Sequence, residues 1–299
     1  MIVREPMNQS PQLSVKTRIV SNETIPIRLF ACFAKISPES GSVLNRTYET
    51  GENRSGDISD LLRQHLLYLH GLGENGSIWE AGPSADFTRI LCIYATPDLE
   101  SAKRLMHGDP FYTAGLFTND WWMEWSIHTP YWKTDPSMRD IIEGLMRGIG
   151  VLPSYPSGVT PTIKTINVEI VTPLKLIVSL AKADAARIRQ IEKNDKEGKP
   201  IPSFLVQHAF NRLGPGGTTA MGYDWECGPS ADSLYDLTIF SVGSLDMARQ
   251  LRESDPFTQN GLFYDPDYFE WFIHEPLRKA SPTRREALRR LLHQSGINV

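Results

Sequence analysis

Cysteine is scarce in this chain. Cys32, Cys92 and Cys227 are three in 299 residues, far apart and without CxxC spacing. That excludes a disulfide framework and predicts buried thiols in a reducing, cytoplasmic setting. There is no apolar run of about 18 residues, so no membrane partner is expected. Net charge is −4 and no basic run occurs, which argues against nucleic acid. No P-loop, no strand-to-helix GxGxxG and no HExxH is present, so no nucleotide cofactor and no metal is expected. "GLGENG" at 71–76 ends a helix pattern instead of opening one. There is no GxSxG elbow to activate a serine.

What the chain has is a long internal repeat. "WEAGPSAD" (Trp79 to Asp86) returns as "WECGPSAD" (Trp225 to Asp232). "DPFYTAGLF" from Asp109 returns as "DPFTQNGLF" from Asp255, and "EWSIHTP" from Glu124 as "EWFIHEP" from Glu270. All three pairs share an offset of 146. Upstream, "PIRLFACFAK" from Pro26 matches "PLKLIVSLAK" from Pro173 at 147, and "RQHLLYL" matches "VQHAFNR" at 143. A period this long means a duplicated domain, not a solenoid. The offset changes on either side of the histidine, at 37–56, at 184–202 and around "GPGG" at 214–217, where loops are expected.

Patterning predicts the same elements in each copy. The first has a strand at 26–36, a helix at 57–71 capped by Asp57 or Ser59, strands at 76–81 and 89–95, a helix at 98–107 and a strand at 121–128. The second has a strand at 173–182, helices within 184–213, strands at 219–227 and 235–242, a helix at 244–253 and a strand at 267–274. The fold class is α+β, two ferredoxin-like β-α-β-β-α-β repeats. One sheet face of such a unit lies bare, so the two repeats are expected to form an intrachain α+β barrel, a pseudo-dimer within a monomer, or to pair in a homodimer. The domains are then a flexible arm at 1–24, repeats at 25–130 and 171–276, a linker with a short helix at 131–170, and a C-terminal helix at 277–299.

The duplicated residues are the candidates for chemistry. "QHLLYL", "AGPSAD" and "DPFYTAGLF", with "QHAF", "CGPSAD" and "DPFTQNGLF", resemble the YCII-related family. That resemblance implies a fold of the dimeric α+β-barrel, muconolactone-isomerase-like kind. It also implies His65 with Asp86, and His208 with Asp232, as catalytic pairs, and it includes dehydrochlorinase chemistry among relatives. Independently, a histidine beside a carboxylate is a general base near neutral pH. The competing reading is that each aspartate caps a turn and each histidine packs. Ser84 and Ser230 are candidates to bond a substrate, or to form the turn. Asp109 and Asp255 are read as caps of the short turns that follow them. Alternation along the last strand groups Trp125 with Ile127, expected under the helices. Glu124 with His128, and Glu270 with His274, are then expected in an inter-sheet cavity shaped by Trp79 and Trp225.

The function expected is a cofactor-free enzyme acting on a small cyclic or aromatic carbonyl or phenol, a lyase or isomerase. Proton transfer by His and Asp would give isomerisation or elimination, including dehydrochlorination. The alternative is a non-catalytic small-molecule-binding or scaffold protein.

Overall fold

A computed structural model describes residues 28–38, 40–42, 57–126, 175–200, 202–213, 217–218 and 223–273. The arm at 1–24, the linker at 131–170 and the C-terminal helix at 277–299 lie outside the described residues. So do Ile127, His128 and His274.

The first repeat runs β1 (Arg28–Ile36), α1 (Asp57–Glu74), β2 (Ile78–Pro83), β3 (Arg89–Thr96), α2 (Leu99–His107), α3 (Pro110–Thr113) and β4 (Phe117–Trp125). The second runs β5 (Lys175–Ala183), α4 (Ala185–Lys196), α5 (Ser203–Leu213), β6 (Asp224–Pro229), β7 (Tyr235–Val242), α6 (Leu245–Ser254), α7 (Pro256–Gln259) and β8 (Phe263–Trp271). Each repeat forms one antiparallel sheet, in the order β2-β3-β1-β4 and β6-β7-β5-β8. This is the duplicated α+β unit that the repeat predicts. No helix among the described residues is long and apolar enough to cross a membrane.

Local chemistry explains the helix starts. Asp98 accepts from the Ser101 amide to cap α2, and Ser244 accepts from Met247 to cap α6. The last strands begin four residues earlier than patterning predicts, at Phe117 and Phe263. Asn119 and Asp265 sit at φ 51° and 49°, beside register shifts against β1 and β5. A bulge therefore carries a polar stretch through a strand that alternation alone would have ended.

Alternating residues divide each sheet into two faces. In the first repeat Phe30, Cys32, Ile90, Cys92 and Tyr94 pack under the helices. Leu29, Ala31, Leu91, Ile93, Met123 and Trp125 face the other way and meet Val178, Leu237, Ile239, Phe269 and Trp271 of the second repeat. The bare faces thus bury each other within one chain. Removing two aromatic-rich sheet faces from water drives this closure.

The expected assignment of the last strand's faces is reversed. Trp125 lies between the sheets, not under the helices. Glu124 ion-pairs with Arg28, and Glu270 with Lys175 at 2.8 Å, at partly exposed positions instead of in a cavity. Trp79 and Trp225 belong to the packed inter-sheet core rather than to the walls of a cavity. Each indole donates across the interface, Trp79 to Glu226 at 2.9 Å and Trp225 to Glu80 at 3.1 Å.

The tryptophans of the last strands form a second reciprocal pair. Trp125 Nε1 donates to the Gly228 carbonyl at 3.0 Å, and Trp271 Nε1 to the Gly82 carbonyl at 2.8 Å. Backbone bonds continue the closure: Ala85 donates to Glu270 and Phe272 to Pro83, mirrored by Ala231 to Glu124 and Ser126 to Pro229. Gly82 is required here. A Cβ on it would lie 1.6 Å from the Phe272 carbonyl oxygen.

Candidate active site

Helix α1 presents His65 on the same face as Leu62 and Leu69, three and four residues away, and Leu66 beside it lines the same cavity. That face lies on the helix-side core of the first sheet, where His65 is 5% exposed. Its Nδ1 stands 2.8 Å and 2.9 Å from the two carboxylate oxygens of Asp109. Asp109 is fully buried. It is also the N-cap of α3, accepting from the Phe111 amide at 2.8 Å. The cap expected at Asp109 is therefore present, and the same carboxylate holds the histidine.

The rest of the repeated phrase builds the walls. Phe111 stacks on the imidazole, with centroids 4.2 Å apart and planes at 4°. Phe117 meets its edge at 5.8 Å. Gly115, at φ 74°, allows the chain to turn from α3 into β4 and bring Phe117 back. Asp, Phe, Gly and Phe of "DPFxxxGLF" thus act together around one ring.

His65 lines a cavity of about 210 Å³ with Ile36, Leu66, Leu69, Ile90, Phe111 and Phe117. Gly82 and Pro83 of the closing segment line it too. Phe272 and Ile273 of the second repeat complete the wall. The cavity lies between helices and sheet of the first repeat, not between the sheets.

The second copy repeats the dyad. His208 Nδ1 lies 2.7 Å from Asp255 Oδ1, and the ring stacks on Phe257 at 3.7 Å. Asp255 again caps the next turn, α7. Here a third group intervenes. Arg212 donates to Asp255 at 3.2 Å and to Asp224 at 2.8 Å. Burial alone would raise the Asp255 carboxyl, but the His208 hydrogen bond and the Arg212 charge hold it well below the usual carboxylate range. Burial works against the Arg212 charge as well, and Asp224 and Asp255 keep it protonated.

Asp86 and Asp232 are not the partners of the histidines. Asp86 accepts from the Ser84 hydroxyl at 2.6 Å and from the Thr88 amide at 3.1 Å. Asp232 accepts from Ser230 and from the Leu234 amide. Ser84 and Ser230, both buried, also accept from the amides of Arg89 and Tyr235. "GPSAD" is a self-bonded turn, with Phe87 and Ser233 at positive φ. Burial would raise the Asp86 carboxyl, and the Ser84 and Thr88 hydrogen bonds outweigh it and hold the carboxyl low. The Asp86 carboxylate is engaged by its own turn, while the His65 imidazole is engaged by Asp109.

The signal for Asp109 and Asp255 was in the sequence. Both copies keep the aspartate, and a cap uses one carboxylate oxygen while leaving lone pairs for a second donor. Only the fold shows that the helix histidine supplies that donor.

No protein-family model matches the sequence, and no curated protein matches it. Among solved structures the chain is similar to the 5-chloro-2-hydroxyhydroquinone dehydrochlorinase of Burkholderia phenoliruptrix AC1100, in complex with 2,5-dihydroxybenzoquinone. The identity is 24%, covering 33% of this chain and 93% of that one, with a TM-score of 0.25. It is also similar to the chlorite dismutase of Candidatus Nitrospira defluvii in complex with imidazole. There the identity is 11%, covering 84% of this chain and 94% of that one, with a TM-score of 0.42.

Proposed function

We propose that the chain is a cofactor-free enzyme of small cyclic or aromatic carbonyls and phenols, with His65 as general base and Asp109 as its positioning partner. One observation carries this reading: a carboxylate-held imidazole lines an otherwise apolar cavity. With its proton on Nδ1 toward Asp109, the ring offers the Nε2 lone pair. The carboxylate also stabilises the imidazolium that forms when Nε2 takes a proton. The stack on Phe111 fixes the ring plane.

The cavity size supports a one-ring substrate. An apolar cavity of about 150 Å³ accepts benzene, and this one is about 210 Å³. Nε2 would take the proton of a phenol, an enol or a carbon beside a carbonyl. The released electron pair moves into the ring system. Returning the proton to another atom gives isomerisation; departure of a halide with its electron pair gives elimination. The resemblance of the repeated motifs to YCII-related proteins points the same way.

A second reading is binding without turnover. It is favoured by the lining, in which His65 is the single ionisable side chain. Turnover assays on substituted hydroxyquinols, cyclic enols and lactones separate the two. The enzyme reading expects conversion by the unmodified protein and loss in His65→Ala. Ring binding without conversion, unchanged across the panel, would establish the second.

A further inference from the structure

The two dyads match, but the residues beneath them do not. Leu69, which lines the first cavity, corresponds to Arg212 at the same station of the second repeat's helix. Ile78 corresponds to Asp224, Ile90 to Asp236, Cys92 to Thr238 and Met106 to Arg252. These exchanges convert an apolar floor into a buried charged network. Arg212 spends Nε on Asp255 at 3.2 Å, Nη1 on Asp224 at 2.8 Å and Nη2 on Thr238 at 3.2 Å. Arg252 binds Asp236 at 2.6 Å and Ser179 at 3.1 Å. Arg212, Asp224, Asp236, Arg252 and Asp255 are all buried.

We infer that Arg212 closes the second pocket, so that among the described residues the working ring-binding cavity is that of the first repeat. An apolar ring entering beside His208 would have to disrupt a paired guanidinium, and leaving either carboxylate buried without its partner is strongly unfavourable. The Asp255 carboxylate is also shared. Its charge is already matched by a guanidinium, so less remains to stabilise an imidazolium on His208. The walls differ in the same direction. Phe272 walls the first cavity, and the corresponding residue on the first repeat is Ser126. The second repeat then serves as a wall for the first cavity and supplies the sheet that covers the first repeat's bare face. Catalysis in the first cavity rests on the proposed proton transfer; the closure of the second pocket by Arg212 does not.

Xenon tests the closure without any assumption about substrate, because it occupies dry apolar cavities. Crystals of the unmodified protein under xenon should show the gas beside His65 and none beside His208. The double substitution Arg212→Leu with Asp224→Ile restores the first repeat's residues and removes both ends of one ion pair. It should add a second xenon site beside His208. Xenon beside His208 in the unmodified protein overturns the inference, as does a folded double variant with no second site. If the double variant does not fold, the unmodified crystals decide alone, xenon confined to the first repeat supporting the inference. Absence of turnover on every ring compound tried would overturn the proposed enzyme and leave the xenon result standing.

Discussion

The Nδ1 of His65 and the carboxylate of Asp109 meet at 2.8 Å across 44 residues of chain. Neither neighbour of this contact is polar: Phe111 covers one ring face and Phe117 one edge. If the contact serves proton transfer, His65→Ala should lower turnover by about 10²- to 10⁴-fold. Asp109→Asn should also lower it, because an amide can fix the other tautomer. The same change at His208 should cost less, since Arg212 already shares Asp255. Steady-state kinetics with thermal melts checks this. A loss of stability without a loss of kcat in the folded fraction would mean the histidine only packs.

Gly82→Ala should weaken the join between the repeats. The added Cβ lies 1.6 Å from the Phe272 carbonyl oxygen, a backbone atom that cannot step aside. Overpacking costs about 1–3 kcal/mol, and each kcal/mol is worth roughly 2–4 °C of Tm in a chain of 150–250 residues. Calorimetry on both proteins checks the shift. An unchanged Tm would mean the crossing of the chains is looser than the contact implies.

Phe272→Ala should act on binding more than on chemistry. The side chain walls the cavity yet is 45% exposed, so it shapes the mouth. KM for a one-ring substrate should rise, with kcat changed far less. A fall in kcat at constant KM would instead give Phe272 a part in the transition state.

Acid should unfasten the second repeat. The folded Asp255 carboxyl sits below its ordinary value, against about 3.9 in the unfolded chain. Its stabilising contribution is therefore present above the unfolded value and is lost as pH falls through the folded one. Asp255→Asn should lower Tm at neutral pH and flatten the acid limb of a Tm–pH curve below about pH 4. An acid limb of unchanged steepness in the variant would place the sensitivity elsewhere.

Sequence alone determined the duplication, the α+β class and the need for the two sheets to cover each other. Those follow from local composition: alternation, caps and a repeated phrase are properties of neighbouring residues. It also drew attention to His65 and His208, because both copies carry them. The tertiary structure decided which carboxylate each histidine meets. Asp86 is near "GPSAD" neighbours that satisfy it, whereas Asp109 reaches His65 only once α1 and α3 pack on one sheet. It decided as well which way Trp125 points, since one bulge residue at Asn119 exchanges the faces of a strand. The role of Arg212 likewise waits on the fold. A single basic residue on a helix is ordinarily a solvated one, and only packing turns its helix face onto Asp224, Thr238 and Asp255, where burial makes each partner obligatory.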